Sequence, residues 1–165
     1  MTTYIGIDPG LTGAVAAIGP LGQVRAVRDT PTITVRHGKR VRLEYDVNAM
    51  ETAIAALIGF EHNPAYIAIE ALNARPGQGV TSMFRLGYGL GLWEGIAAAF
   101  KIPVLRVQPQ RWKGAMLDGM GKGKGASLLQ AQRLFPAAAA ELRLKKHEGR
   151  AEALLIAEWL RRTRR

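Results

Sequence analysis

Two short apolar runs in this chain each end on a carboxylate: Tyr4–Asp8, reading Tyr-Ile-Gly-Ile-Asp, and Tyr66–Glu70, reading Tyr-Ile-Ala-Ile-Glu. Runs of this length bounded by turn signals read as buried strands, and a carboxylate closing a buried strand is costly unless a cation or a donor meets it. If the two strands are neighbours, both acids emerge at one edge of one sheet, within reach of a shared hard cation. Few architectures satisfy that demand.

The rest of the chain supplies such a sheet. Pro9-Gly10 follows Asp8 and the apolar run resumes over Gly13–Ile18, so the pair reads as a hairpin with Asp8 at the entrance to its turn. Gly19-Pro20-Leu21-Gly22 then leads into Gln23–Asp29, which makes three antiparallel strands. Residues 31–46 are polar and basic, with Arg36, His37, Lys39, Arg40 and Arg42, and read as an extended hairpin or loop. An amphipathic helix over Val47–Ile58 precedes the Tyr66–Glu70 strand, and a Gly- and Pro-containing loop, Ala71–Val80, follows it. An apolar helix over Thr81–Phe100 leads to a strand at Pro103–Val107. From Gln108 the pattern is helical, interrupted at Gly119–Gly125, with a helix over Ala126–Leu134, a stop at Pro136 and a last amphipathic helix over Gly149–Arg162. The order βββ-α-β-α-β-α predicts an α/β protein, a mixed sheet flanked by helices, in a single domain spanning residues 1–165, with its site at the strand ends.

Composition narrows the chemistry. The 165 residues include no cysteine, which excludes a disulfide framework, thiol catalysis and thiolate-bound zinc. Lys and Arg number 23 against 13 acidic residues, a net charge of +10, and the Arg161-Arg162-Thr163-Arg164-Arg165 cluster holds only four of those charges. A surplus spread in this way is the footprint of a polyanion-binding protein, with mere solubility as the alternative. The start of the chain has no basic segment followed by a long apolar run, and no stretch approaches 18 uninterrupted apolar residues, so the expectation is a cytoplasmic protein that does not meet the membrane.

A third acidic contribution comes from Glu148 and Glu152, four residues apart near the start of the last helix and therefore on one face. Like charges at that spacing repel, and a divalent cation relieves the repulsion; magnesium takes a few carboxylates together with waters and phosphate oxygens. Two such ions suit in-line displacement at phosphorus, which makes phosphodiester hydrolysis the natural reaction. The alternatives are local: Asp8 as a turn initiator before Pro-Gly, acids favoured in a first helical turn, and Lys145, Lys146 or Arg150 neutralising Glu148 and Glu152. His147 is either a ligand, a proton carrier or a helix-cap residue.

These residues resemble the RuvC-like Holliday junction resolvases, in particular their small phage branch. Gly6-Ile7-Asp8-Pro9-Gly10 with Thr12-Gly13 is similar to the family's first motif, and Ile69-Glu70 to its second. Pro76-Gly77-Gln78-Gly79-Val80, Ser82-Met83-Phe84 and Gly87 resemble the segment that follows in that branch. Pro109-Gln110-Arg111-Trp112-Lys113 and Gly149-Arg150-Ala151-Glu152-Ala153-Leu154-Leu155 resemble the remaining two. The resemblance implies a ribonuclease H-like fold with a five-stranded sheet, magnesium or manganese at two ions per site, a homodimer, and paired nicks across a four-way DNA junction in the cytoplasm, associated with the nucleoid or phage-encoded in a bacterial host. By position, Asp8, Glu70 and Glu152 become ligands, and Glu148 or His147 fills the fourth place. The closing acids here are Glu and Glu four apart, where the cellular enzymes have Asp and Asp three apart. The aromatic that those enzymes place after the second acid is missing from Leu72-Asn73-Ala74-Arg75, which leaves either Phe84 as the substitute wedge or no wedge at all.

DNA contacts are expected from Arg75, Arg111 and Lys113 beside the site and from Lys122 and Lys124 in the Gly-rich stretch, with Lys113 or Lys124 also stabilising transition-state charge. Trp112 is either a stacking platform or a packing residue. The Gly119–Gly125 spacing is not that of a P-loop, so no nucleotide cofactor is expected. Gly87, Gly89, Gly91 and Gly95, with Ala97-Ala98-Ala99, allow either a helix from a second subunit or the chain's own sheet to approach closely. Two other readings stand beside the resolvase: a nuclease of the same fold acting on flaps or RNA–DNA hybrids, and a junction-binding protein without catalysis.

Overall fold

A computed structural model describes residues 1–59, 64–73, 77–121, 123 and 125–164, apart from the side chain of His37. Strands β1 (Thr3–Asp8), β2 (Ala14–Ile18) and β3 (Val24–Asp29) form the antiparallel meander, and β4 (Thr32–His37) pairs with β5 (Arg40–Tyr45) in a separate two-stranded ribbon. Helix α1 (Val47–Ile58), strand β6 (Ala65–Glu70), helix α2 (Val80–Ala99) and strand β7 (Val104–Val107) follow. The chain ends with α3 (Pro109–Met116), α4 (Ala126–Leu134), two 3-10 segments at Pro136–Leu142 and Lys145–His147, and α5 (Glu148–Thr163). The main sheet runs β3-β2-β1-β6-β7, with β6 and β7 parallel to β1.

Alternation along the strands divides the interior in two. Ile5, Ile7, Val15, Ile67 and Ile69 meet α1 and α2 on one face; Ala14, Ala16, Ala68 and Val107 meet α5 and α3 on the other. The α5 face is lined by small residues because the helix lies almost on the sheet. A Cβ added to Gly6 would come within 2.1 Å of the Ala153 carbonyl oxygen, and one on Gly149 within 2.7 Å of the Thr12 carbonyl oxygen. Ala151 and the run from Ala153 to Ala157 are fully buried, so α5 is a central helix and its first turn is pinned against the β1–β2 turn.

Beyond Pro136 the chain does not simply stop being helical. It tightens into 3-10 geometry that buries Ala138 and Leu142 against the core before α5 begins.

Candidate active site

In parallel β1 and β6, Ile7 aligns with Ile69, so Asp8 and Glu70 occupy the next register position on adjacent strands, roughly 5 Å apart along the sheet. Period-two alternation puts both on the face shared by Gly6 and Ala68, the face that α5 covers. The close approach of α5 at Gly6 and Gly149 then delivers Glu152 to the same edge. Three acids from three distant segments meet because two glycines permit the helix to descend that far.

Although part of Asp8 still reaches solvent, its carboxyl is pushed up from an ordinary 3.8 to about 7, first by burial, then by the negative charges of Glu152 and Glu70. A hydrogen bond from the Gly10 backbone and the charge of Lys113 offset only part of this. Lys113 Nζ lies 2.8 Å from Glu152 Oε1. Burial alone would lower its pKa, but Glu152, Glu70 and Asp8 outweigh that and raise it. One ammonium is thus shared among three carboxylates. Glu70 receives the Trp112 indole N–H at 2.7 Å, and Glu152 accepts from the Ser127 hydroxyl at 3.1 Å. Both acids are therefore oriented by buried residues: Trp112 is fully enclosed and Ser127 nearly so.

Among the described residues, no three acidic or imidazole groups form a ready-made cage for an ion. Among the described residues the arrangement is an open oxygen cluster in which the negative charges of Glu152 and Glu70 help to hold the Asp8 carboxyl near 7. That suits magnesium or manganese, since magnesium binds through one or two carboxylates and completes its shell with water and substrate oxygens. Asp8, Glu70 and Glu152 are the side chains that fit such an ion.

Glu148 and His147 separate here. Glu148 opens α5, accepts the Gly125 backbone N–H at 3.2 Å and, with Glu152, lines two clefts. One, of about 630 Å³, runs along Lys113, Asp118 and Ser127; the other, of about 600 Å³, contains Asp8, Asp29 and His147. A third, of about 470 Å³, starts at Glu70 and passes Asn73, Gln78 and Pro109. His147 is buried, with Nδ1 accepting the Leu144 backbone N–H at 3.3 Å. Its pKa is lowered, first by burial and then by Arg150 and Lys146, which favours the neutral, backbone-anchored imidazole.

The local neutralisation that Arg150 offered does not occur. Its guanidinium grips Asp29 through two bonds of 2.6 and 2.7 Å and reaches Glu141 at 2.8 Å, leaving Glu148 and Glu152 to other partners. Asp29 enters the same cleft as Asp8, and Ser127 braces Glu152. The sequence reading missed both, since neither lies in a distinctive motif.

Two DNA-contact expectations need correction. Trp112 is fully buried and has no face to offer a base; it packs and orients Glu70. Arg111 is not beside the acids: its guanidinium lies 5.6 Å over the ring of Trp159, seven residues beyond Glu152 and about 10 Å further along α5. Phe84 is 73% exposed and stacks on Tyr88. Arg75, Lys122 and Lys124 lie outside the described residues.

No family model matches the chain. Among characterised proteins it is 37% identical over 94 residues to the chloroplastic Holliday junction resolvase MOC1 of Chlamydomonas reinhardtii, a match covering 57% of this chain and 11% of that protein. The chain thus spans about a tenth of its relative's length. Among solved structures it superposes on T. thermophilus RuvC in complex with a Holliday junction substrate, with a TM-score of 0.64 and 17% identity over 99% of this chain and 96% of the other. A second Thermus thermophilus RuvC structure gives 0.54 and 19% over 98% and 95%. The fold is therefore that of RuvC, ribonuclease H-like, as the element order and the resemblance together predicted.

Proposed function

We propose that the protein is a structure-specific DNA endonuclease that resolves four-way junctions by metal-dependent hydrolysis, within one nuclease domain. The observation that carries this is the meeting of Asp8, Glu70 and Glu152 beside the Lys113 ammonium at the sheet edge, with the Asp8 carboxyl raised to about 7. Similarity to a Holliday junction resolvase supports the substrate, and the net charge of +10 supports a polyanion.

Asp8, Glu70 and Glu152 would hold magnesium or manganese, two ions per site, with Glu148 at the margin as the fourth carboxylate. When bound, the ions supply the Lewis acidity that phosphodiester cleavage requires. Trp112 and Ser127 fix the rotamers of Glu70 and Glu152, so the oxygens need no reorganisation when the phosphate arrives. The Lys113 ammonium, 2.8 Å from Glu152, is placed to offer positive charge to a phosphate at this edge. The three clefts that radiate from the acids give the DNA strands separate paths, with exposed Phe84 as the wedge where they part.

A homodimer supplies the second cut. Gly89 and Ala97 of α2 pack within their own chain, against Tyr45 and the core. Gly87, Gly91 and Gly95 instead line an open face, with nothing within 4 Å of an added Cβ, and form a surface on which a partner helix can lie closely.

The deciding experiment compares cleavage of four-way junction, flap, RNA–DNA hybrid and linear duplex, in magnesium and in chelator. The expected result is magnesium-dependent, paired nicking of the junction above the rest. Junctions cut no faster than duplex would remove the resolvase reading and leave a nuclease of another specificity; binding without cutting would leave a junction-binding protein.

A further inference from the structure

The ribbon formed by β4 and β5 is a separate sheet, and its basic side chains have no role in the site just described. We infer that it is an arm that grips one duplex of the branched substrate, in fixed register with Asp8; this rests on the junction-resolving reading above. Arg36, Lys39, Arg40 and Arg42 are all exposed, and none of them makes an ion pair among the described residues, while Glu44 is the ribbon's only acid. The turn Gly38-Lys39, opened by Gly38 at φ 61, puts a lysine at the tip. Between these charges Ile33, Val41 and Leu43 are 45%, 57% and 47% exposed. A two-stranded ribbon with apolar side chains in water is only marginally stable alone, so these residues are suited to becoming covered.

The charge selects what covers it: a polyanion with a groove. The major groove of duplex DNA admits a two-stranded ribbon, and phosphates on either side meet the arginines. The base of the ribbon is tied to the catalytic edge at two points. Thr32, the first residue of β4, lines the cleft that contains Asp8. The hydroxyl of Tyr45, the last residue of β5, lies 3.2 Å from the carbonyl oxygen of Pro9, the neighbour of Asp8, and 3.3 Å from that of Arg85. Six residues per strand extend about 20 Å from this base, which corresponds to about six base pairs of duplex.

That length makes the test specific. Binding is measured in chelator on four-way junctions whose arms, closed by loops so that they stay paired, are either long or trimmed below about six base pairs. The protein is compared with the variant combining Arg36→Gln, Lys39→Gln, Arg40→Gln and Arg42→Gln, and with Lys39→Gln/Arg40→Gln at the tip alone. All four side chains are exposed, so an unchanged melting temperature verifies folding. The unaltered protein should lose about tenfold in affinity when the arms are shortened. The fourfold variant should bind long arms weakly, be insensitive to trimming, and show a salt dependence of log K shallower by about 2 to 4, near 0.9 per lost phosphate contact; the tip variant should lie between. A variant with unchanged salt slope and unchanged sensitivity to arm length overturns the arm, as does a variant that binds DNA normally but changes sedimentation as a dimer. If the unaltered protein neither prefers nor cuts junctions, the function reading has failed instead.

Discussion

Helix α5 carries two glutamates that meet opposite fates. Glu158 is buried, but Arg161 contacts both of its oxygens at 2.7 Å and Arg162 adds a third contact at 2.7 Å. Burial would raise its pKa, yet the two guanidinium groups hold it below the usual carboxylate range. Six residues earlier Glu152 shares one ammonium with Asp8 and Glu70, and Asp8 rises to about 7. At one end of the helix two guanidinium groups meet one carboxylate, and at the other, among the described residues, one ammonium sits beside Glu152. A satisfied buried pair holds structure, whereas a carboxyl raised by burial and by like charges marks a candidate site for a cation.

Neutralising one carboxylate at each end tests that contrast most severely. Glu70→Gln should lower junction cutting by about 10³-fold or more, because several kcal/mol of charge stabilisation depend on the acid cluster, while junction binding in chelator persists. Glu158→Gln should do the reverse: about 3 kcal/mol of stability is lost by leaving Arg161 buried without its partner, and the turnover of the folded fraction is kept. Thermal melts and single-turnover cleavage on both variants separate the outcomes, and a Glu158→Gln enzyme that melts normally but cannot cut would erase the distinction.

A smaller effect sharpens the electrostatics. Because the folded pKa of Asp8 lies above its unfolded value, the folded state binds the extra proton between about pH 4 and pH 7, and stability falls as pH rises through that window. His147 acts oppositely, since its lowered folded pKa costs stability as pH drops below its ordinary 6.5. Asp8→Asn isolates the first contribution: in chelator the variant should melt higher than the unaltered protein at pH 8, and the gap should close toward pH 4. Equal melting temperatures at pH 8 would mean that Asp8 carries no uncompensated charge.

The least effect is expected at the ammonium. Lys113→Met removes the cation that competes for Glu152, so added magnesium should raise the melting temperature of this variant more than that of the unaltered protein, even as cutting slows. An unchanged or smaller magnesium increment would show that the lysine and the ion do not share a locus.

Much of this was legible before any coordinates. The Val47–Ile58 and Ala126–Leu134 helices, the three-strand meander, and the strands that end on Asp8 and Glu70 follow from local periodicity and turn residues, which act within a few positions; that those two strands are neighbours came from the fold. The ribbon at residues 31–46 could be read only as hairpin or loop, because its apolar residues stay in water and burial does not select their face. Trp112 and Arg111 were legible as residue types but not as directions: on an eight-residue helix a single register step decides between full burial and a place over Trp159.

The sequence alone determined the strands of the main sheet, that two of them end in acids, and that the chain is basic. Only the tertiary structure decided which cation each acid receives, because charge compensation is set by side chains that arrive from elsewhere in the chain. Arg150 went to Asp29, Arg161 to Glu158, and Lys113 to Glu152, where the charges of Glu70 and Asp8 also reach it.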